Sequence, residues 1–172
     1  MSVLQTERLN LRELTLDDAP FILTLLNEPS FLRFIGDKKV RTLEAARQYL
    51  LNGPMASYAH HGFGLNLVEL NDSHTPIGIC GLLKREELPD PDIGFAFLPD
   101  FWGKGFAYEA AVAVMNDARE RLKLNCVLAI VNPDNDASIK LLERLGMKFE
   151  RDKDDVKVFA IDYDSTPFQT IL

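Results

Sequence analysis

The segment from Asp92 to Ala111, DIGFAFLPDFWGKGFAYEAA, limits the possible folds of this chain more than any other. Residues 92–98 are predicted to form a strand, which leads through a loop with Gly103 and Gly105 into a helix predicted over 105–122. Glycine allows a ligand to approach the backbone closely, and the first turn of a helix presents N–H donors without intrahelical partners. Such a loop is suited to hold an anion, and phosphate in particular.

Two common phosphate-binding patterns do not match this segment. Tyr108 stands where the dinucleotide-binding pattern G-x-G-x-x-G needs its third glycine, and no Gly-Lys-Ser/Thr follows for a nucleoside-triphosphate loop. Lys104 adds a positive charge at the rim of the predicted site. The physics of the loop leaves a second interpretation open, in which it is only a tight connection between a strand and a helix.

The rest of the chain alternates between helical and extended patterns. Thr15 and Thr42 are predicted N-caps of two early helices, and a short third helix is predicted at 55–61. A later helix is predicted at 135–145, and strands are predicted at 8–14, 63–70, 77–84, 92–98, 126–131, 148–151 and 156–163. This order predicts a mixed α/β (α+β) domain around one central sheet.

Composition argues against several classes of protein. The 172 residues are 47% hydrophobic and 26% charged, a mixture typical of one globular domain that needs no disulfide. No apolar run reaches the roughly 20 residues of a membrane span, and a net charge of −7 disfavours nucleic acid. Cys80 and Cys126 lie in apolar runs, so we interpret them as buried free thiols of a reducing compartment. The three histidines lack metal-ligand spacing, and no metal site is predicted.

Three motifs together resemble those of a known family. The loop Trp102-Gly103-Lys104-Gly105-Phe106-Ala107 is similar to the acyl-CoA-binding motif [QR]-x-x-G-x-[GA] of the GCN5-related N-acetyltransferase (GNAT) superfamily, with Trp102 in place of Gln or Arg. The longer string WGKGFAYEA at 102–110 resembles the ribosomal-protein N-acetyltransferase-like (RimJ/RimL-like) branch. TERLNLR at 6–12 and NPDNDAS at 132–138 resemble two further segments of that branch.

The resemblance implies a fold and a setting. It implies a single acyl-CoA N-acyltransferase domain over residues 1–172, with 164–172 as a short tail. It also implies a mostly antiparallel central sheet of about seven strands, flanked by helices and splayed between 92–98 and 126–131 (the fourth and fifth predicted strands). By analogy with the branch, in which homodimers are common, we expect a cytoplasmic protein that has neither a nucleic-acid nor a membrane partner.

The resemblance also implies which residues bind the co-substrate, acetyl-CoA. Backbone N–H groups of the loop would hold its pyrophosphate, and the preceding strand would pair with its pantetheine arm and place the thioester. Asn132 and Asn135 are candidates to hydrogen-bond the arm, although Asn135 has a second interpretation as a helix N-cap. The predicted coenzyme-binding residues are Phe97, Leu98, Gly103, Lys104, Gly105, Phe106, Ala107, Tyr108, Asn132 and Asn135.

The implied reaction is direct attack of a neutral primary amine on the thioester. Ser138 matches the family position that protonates the leaving thiolate, with a purely helix-capping role as the alternative. Asp92 is the predicted general base, acting through water, because it opens the strand beside the acyl site. Its side-chain direction depends on strand register. The alternatives for the base are Glu87, Asp90, His60 and His61.

The sequence says little about the amine acceptor. In the branch it is a protein N-terminus or a small-molecule amine. Residues in the early helices predict an apolar groove for it, unless they only pack those helices onto the sheet: Phe31, Leu32, Phe34, Ile35, Met55 and Tyr58. The predicted function is therefore an acetyl-CoA-dependent N-acetyltransferase. The alternative is a non-catalytic acyl-CoA-binding protein of the same fold.

Overall fold

A computed structural model describes residues 3–163 of the chain. Its strands are β1 Val3–Gln5, β2 Leu9–Glu13, β3 Leu65–Leu70, β4 Pro76–Leu83, β5 Asp92–Phe97, β6 Cys126–Val131, β7 Lys148–Lys153 and β8 Val156–Asp162. Its α-helices are α1 Ala19–Leu26, α2 Pro29–Phe34, α3 Leu43–Leu50, α4 Ala56–His61, α5 Phe106–Glu120 and α6 Asp136–Arg144. Short 3-10 turns cover Leu16–Asp18 and Pro99–Phe101, and a π-helical turn covers Leu51–Met55. The predicted tail at 164–172 lies outside the described residues.

The eight strands form one sheet in the order β1-β2-β3-β4-β5-β6-β8-β7. All neighbours pair antiparallel except β5 and β6, which run parallel. These two strands share a single registered pair, Asp92 with Leu128, and then separate toward their carboxyl ends. The predicted splay between 92–98 and 126–131 is therefore confirmed.

The sheet carries a separate apolar core on each face. On one face the buried side chains of α5 and β6 pack with Ile93 and Phe97 of β5. On the other face the buried side chains of α1 and α3 pack with Leu67 and Ile79, and Ala96 of β5 joins them. Because successive strand residues point to opposite faces, β5 presents Phe95 and Phe97 to the α5 side and Ala96 to the α1 side. The residues of β5 therefore line both faces of the splay.

Most predicted elements are present, with local differences. Thr15 caps the turn before α1 with a full capping box, and Thr42 caps α3 by accepting from the Ala45 N–H, as predicted. The structure adds β1, which has only three residues and no alternating pattern to announce it. The residues Asn52-Gly53-Pro54 predict a break between two helices, whereas the structure joins α3 to α4 through a π-helical turn that contains Pro54. Among the described residues, no helix is long and apolar enough to cross a membrane.

Candidate active site

One cavity of about 530 Å³ lies at the splayed ends of β5 and β6. Its walls come from α1 and α2, from the end of β5, from the glycine loop and α5, and from α6. The residues that line it include Leu25, Glu28, Ser30, Phe31, Phe34, Ile35, Phe95, Ala96, Phe97, Trp102, Gly103, Gly105, Phe106, Ala107, Tyr108, Asn135, Asp136, Ser138, Lys140 and Arg144.

The cavity passes through the sheet from one face to the other. Ala96 lines it on the face where α1 packs, and Phe95 and Phe97 line it on the face where α5 packs. A molecule that enters along α5 can therefore meet, between the separated strands, a second molecule that enters along α1 and α2. This arrangement suits a reaction between two substrates.

The glycine loop forms the end of the cavity on the α5 face. Gly103 and Gly105 have φ of +74° and +82°, the left-handed region that side chains rarely adopt. A Cβ on Gly103 would meet no atom within 4 Å, so the space over the loop is open. Since α5 begins at Phe106 after the N-cap Gly105, the N–H groups of Phe106, Ala107 and Tyr108 have no intrahelical partner. The loop is therefore an anion cradle that opens into the cavity.

A polar cluster joins this loop to the N-terminal strands. The Glu109 carboxylate on α5 accepts from the Thr6 hydroxyl, from the Arg8 backbone N–H at 2.9 Å and from Arg8 Nε at 2.7 Å. Arg8 Nη1 donates to the Lys104 carbonyl at 2.9 Å, and its guanidinium lies 4.3 Å from the centre of the Phe106 ring. Two of the recognised motifs, TER and WGKGFAYEA, thus meet in space and hold the loop in shape.

We expect Glu109→Gln to weaken acetyl-CoA binding by about tenfold, because charged hydrogen bonds contribute about 1.5–3 kcal/mol each and Arg8 is partly exposed.

Burial tends to raise the pKa of the Glu109 carboxyl, but the hydrogen bonds from Thr6 and Arg8 outweigh it and lower the pKa overall. The ionised Glu109 carboxylate therefore contributes to the free energy of unfolding at neutral pH, and this contribution is lost as acidification protonates the carboxylate. Calorimetric titration at pH 7 checks the affinity, and thermal unfolding of wild type and Glu109→Gln at pH 7 and at acidic pH checks the stability. An unchanged affinity would mean that the cluster does not shape the loop.

Trp102 ties the loop to the end of β5. Its indole Nε1 donates to the Phe97 carbonyl at 2.8 Å, while the ring remains half exposed. The Leu98 N–H donates to the Ile77 carbonyl of β4 at 2.9 Å. Because backbone groups of successive strand residues point to opposite edges, the Phe97 N–H points toward the gap between β5 and β6. It is therefore a backbone donor that faces the gap.

Seven of the ten predicted coenzyme-binding residues line the cavity: Phe97, Gly103, Gly105, Phe106, Ala107, Tyr108 and Asn135. Leu98 does not, since its side chain packs on the α1 side and its N–H is used by β4. Lys104 does not line it either; its side chain is exposed, 6.0 Å from the centre of the Phe101 ring. Asn132 lies in the turn after β6, where its Oδ1 accepts from the Asp134 N–H at 2.8 Å.

Ser138 lines the cavity from the first turn of α6. Asn135 is the N-cap of that helix and accepts from the Ser138 N–H at 3.2 Å, which is the capping role that the sequence left open. The Ser138 hydroxyl makes no hydrogen bond within residues 3–163. The serine that faces the cavity therefore has a donor free for a ligand.

Asp92 lies apart from this cavity. It opens β5, is fully buried, and accepts from Arg85 Nε at 3.1 and 3.2 Å. Its neighbour across the ladder, Leu83, packs on the α1 side, so Asp92 shares that face with Ala96. The two are four residues apart, or about 13 Å along a strand. Burial raises the pKa of the Asp92 carboxyl to about 6, against the opposing effect of Arg85.

Several lining residues were not predicted from the sequence. Glu28, the N-cap of α2, and Ser30 in its first turn line the cavity on one side, and Lys140 and Arg144 line it from α6. The Arg144 guanidinium lies 3.8 Å from the centre of the Tyr108 ring. Lys140 and Arg144 are four residues apart and so lie on one face of α6, and this spacing was a signal that could have found the two cations.

The predicted apolar groove is only partly present. Phe31, Phe34 and Ile35 line the cavity, whereas Leu32, Met55 and Tyr58 are not among its lining residues. Met55 packs in the core of the α1 face. The Tyr58 hydroxyl accepts from the Leu14 N–H at 2.8 Å and donates to the Leu65 carbonyl, which fixes α4 to the sheet. These two residues therefore have structural roles.

Within residues 3–163, no group of three His, Cys, Asp or Glu side chains is arranged to hold a metal ion. Cys80 is buried and Cys126 is partly buried, and both are free thiols. Burial raises the pKa of both thiols, that of Cys126 to about 11. Neither cysteine lines the cavity.

A match to a known protein family identifies the kind of domain that contains this cavity. The family described as "Acetyltransferase (GNAT) domain" matches residues 8–148. The chain belongs to the GNAT acetyltransferase family. This GNAT chain is 30% identical over 168 residues to the Uncharacterized N-acetyltransferase p20 of Bacillus licheniformis, covering 94% of this chain and 93% of that protein.

Solved structures agree with the GNAT assignment. The acetyltransferase from Agrobacterium tumefaciens str. C58 superposes with a TM-score of 0.82 at 26% identity, covering 94% of both chains. RimL, a ribosomal L7/L12 alpha-N-protein acetyltransferase solved in complex with coenzyme A, superposes with a TM-score of 0.81 at 18% identity, covering 96% of this chain and 100% of that one. The similarity to RimL shows a shared fold, as the resemblance to the RimJ/RimL-like branch implied.

Proposed function

We propose that this GNAT protein is an acetyl-CoA-dependent N-acetyltransferase that moves the acetyl group to a primary amine. The observation that carries the proposal is the cavity that passes through the splay between β5 and β6. One end has an anion cradle, and the other end has an apolar wall. Acetyl-CoA and the amine would meet between the strands, in a ternary complex, and no metal would take part.

The α5 face has the features that coenzyme A requires. The unpaired N–H groups of Phe106, Ala107 and Tyr108 and the open space above Gly103 fit a pyrophosphate. Lys140 and Arg144 line the same side and add positive charge for phosphate groups. Phe95 and Phe97 line the path from the loop toward the gap, where the pantetheine arm would lie.

The residues around the gap can support acyl transfer. Bound acetyl-CoA supplies an activated acetyl group as a thioester. The Phe97 N–H would donate to the carbonyl oxygen as negative charge develops on it. The amine nitrogen forms the new bond to the acetyl carbon, the carbon–sulfur bond breaks, and Ser138 Oγ donates a hydrogen bond or proton to the leaving thiolate.

The amine must lose a proton before it attacks, because an alkyl ammonium with a pKa near 10 has no lone pair to offer. We propose Asp92 as the group that finally accepts this proton. Asp92 is fully buried and does not line the cavity, so the proton would reach it through an intervening relay and not by direct contact with the amine. A carboxyl pKa of about 6 suits this role, since the group is ionised at neutral pH and still a useful base.

This role of Asp92 predicts a pH effect. The ratio of wild-type to Asp92→Asn kcat/KM should rise as pH increases through about 6, because only the ionised carboxylate accepts a proton. The ratio cancels the ionisation of the amine itself. A purely structural role would give a lower melting temperature for Asp92→Asn and a ratio that does not change with pH.

The proposed function is tested by measuring thiol release from acetyl-CoA with a panel of primary amines, alongside calorimetric titration with acetyl-CoA. The expected result is tight coenzyme binding and amine-dependent thiol release. Binding without turnover on any amine would instead support a non-catalytic acyl-CoA-binding protein. Absence of binding would overturn both functions.

A further inference from the structure

Glu28 is the one carboxylate that lines the cavity on the α1 and α2 side, within residues 3–163. It is the N-cap of α2 and is partly buried, and its side chain does not cap that helix. The structure gives it no ion pair or other side-chain hydrogen bond among the described residues. By contrast, the partly buried Glu109 is paired with Arg8, and the fully buried Asp92 is paired with Arg85.

The surroundings of Glu28 are apolar. Leu25, Phe31, Phe34 and Ile35 form the wall beside it, with Ser30 as the other polar residue from α2. A carboxylate in such a wall loses hydration and gains most from a ligand that brings its own positive charge. Both cations that line the cavity, Lys140 and Arg144, come from α6 on the opposite face.

We propose that Glu28 binds the ammonium group of the acceptor, and that the acceptor is a primary amine on an apolar or aromatic body. This rests on the proposed function and names its substrate class. The carboxylate holds the ammonium as it enters, and the phenylalanines bury the attached group. A polyamine or a sugar amine would need several carboxylates on this wall, where the structure provides Glu28 alone among the described residues. The overall charge of −7 favours such a cationic acceptor.

The test uses 2-phenylethylamine as the acceptor with saturating acetyl-CoA. Wild-type protein should acetylate it with a lower KM than methylamine or spermidine. Glu28→Gln should raise the KM for 2-phenylethylamine by about tenfold to a hundredfold, because it removes a charged hydrogen bond and keeps the side-chain shape. We expect kcat to change by less than about threefold and the acetyl-CoA affinity to be unchanged, since Glu28 is specific to the acceptor.

Two variants make the comparison sharp. Glu44→Gln removes an exposed carboxylate on α3, outside the cavity, and should leave KM unchanged. Asp136→Asn removes the exposed carboxylate that lines the cavity from α6. An increase in KM with Asp136→Asn and none with Glu28→Gln would overturn the assignment of Glu28. Binding of acetyl-CoA without turnover of 2-phenylethylamine would overturn the substrate class, whereas absence of acetyl-CoA binding would overturn the proposed function itself.

Discussion

Replacing Gly105 with leucine should abolish measurable acetyl-CoA binding while the protein stays folded. Gly105 is the N-cap of α5 with φ of +82°, and its own Cβ would already approach Arg8 Nη2 at 3.3 Å. A leucine there must either displace Arg8 from its bond to the Lys104 carbonyl or extend into the space above the loop. Either outcome removes the anion cradle. We expect the affinity for acetyl-CoA to fall by at least about a hundredfold, since several contacts to phosphate depend on the cradle.

The stability cost of this change can be separated from its effect on binding. A non-glycine residue in the left-handed region costs about 1–2 kcal/mol. Gly62 ends α4 with nearly the same backbone, φ +77° and ψ 8° against φ +82° and ψ 4° at Gly105, and a Cβ there meets nothing within 4 Å. Gly62→Leu therefore has a similar backbone cost and lies outside the cavity.

Calorimetric titration and thermal unfolding of both variants form the measurement. We expect similar decreases in melting temperature and a loss of acetyl-CoA binding for Gly105→Leu alone. Equal affinity in the two variants would mean that the loop only connects β5 to α5. A Gly105→Leu protein that unfolds at low temperature, with Gly62→Leu stable, would mean that Arg8 and the loop are needed for folding as well.

The sequence predicts those features whose cause is local. The glycine loop, the caps at Thr15, Thr42 and Asn135, and the long helix from 106 each depend on a few adjacent residues, and all are present in the structure. The splay was implied by family resemblance, and no local pattern in 92–98 or 126–131 signals it. It is visible only in the structure, where the parallel strands β5 and β6 share the single pair Asp92 with Leu128.

The site residues likewise divide into those with a local sequence signal and those placed by long-range packing. Ser138 and the loop were predicted because motifs adjacent in sequence identify them. Glu28, Lys140 and Arg144 were missed, because they come to line the cavity only through packing of α2 and α6. Asp92 was predicted from its place at the start of a strand, yet strand register and Arg85 decide its surroundings. A side chain that depends on long-range packing is not readable from one sequence.

Ser138→Ala should lower kcat by about a hundredfold or more, because a positioned proton donor contributes about 10²–10⁴ in rate. The KM for acetyl-CoA and the melting temperature should change little. The only contact that the structure gives Ser138 with the cap is its backbone N–H to Asn135 Oδ1, which alanine keeps. Alanine is also a better helix former than serine. A loss confined to kcat would therefore indicate a role in the transition state and not in binding.

The matched variant is Ser138→Thr, which retains a hydroxyl at the same position on α6. It should recover most of the rate, whereas Ser138→Ala should not, if the hydroxyl protonates the thiolate. The two variants also separate the acid role from the capping role, because both keep the backbone N–H that Asn135 accepts. Equal kcat for wild type and Ser138→Ala would contradict this role, because it would mean that the thiolate leaves without a proton from Ser138. Ser138 would then have only a structural role in the first turn of α6.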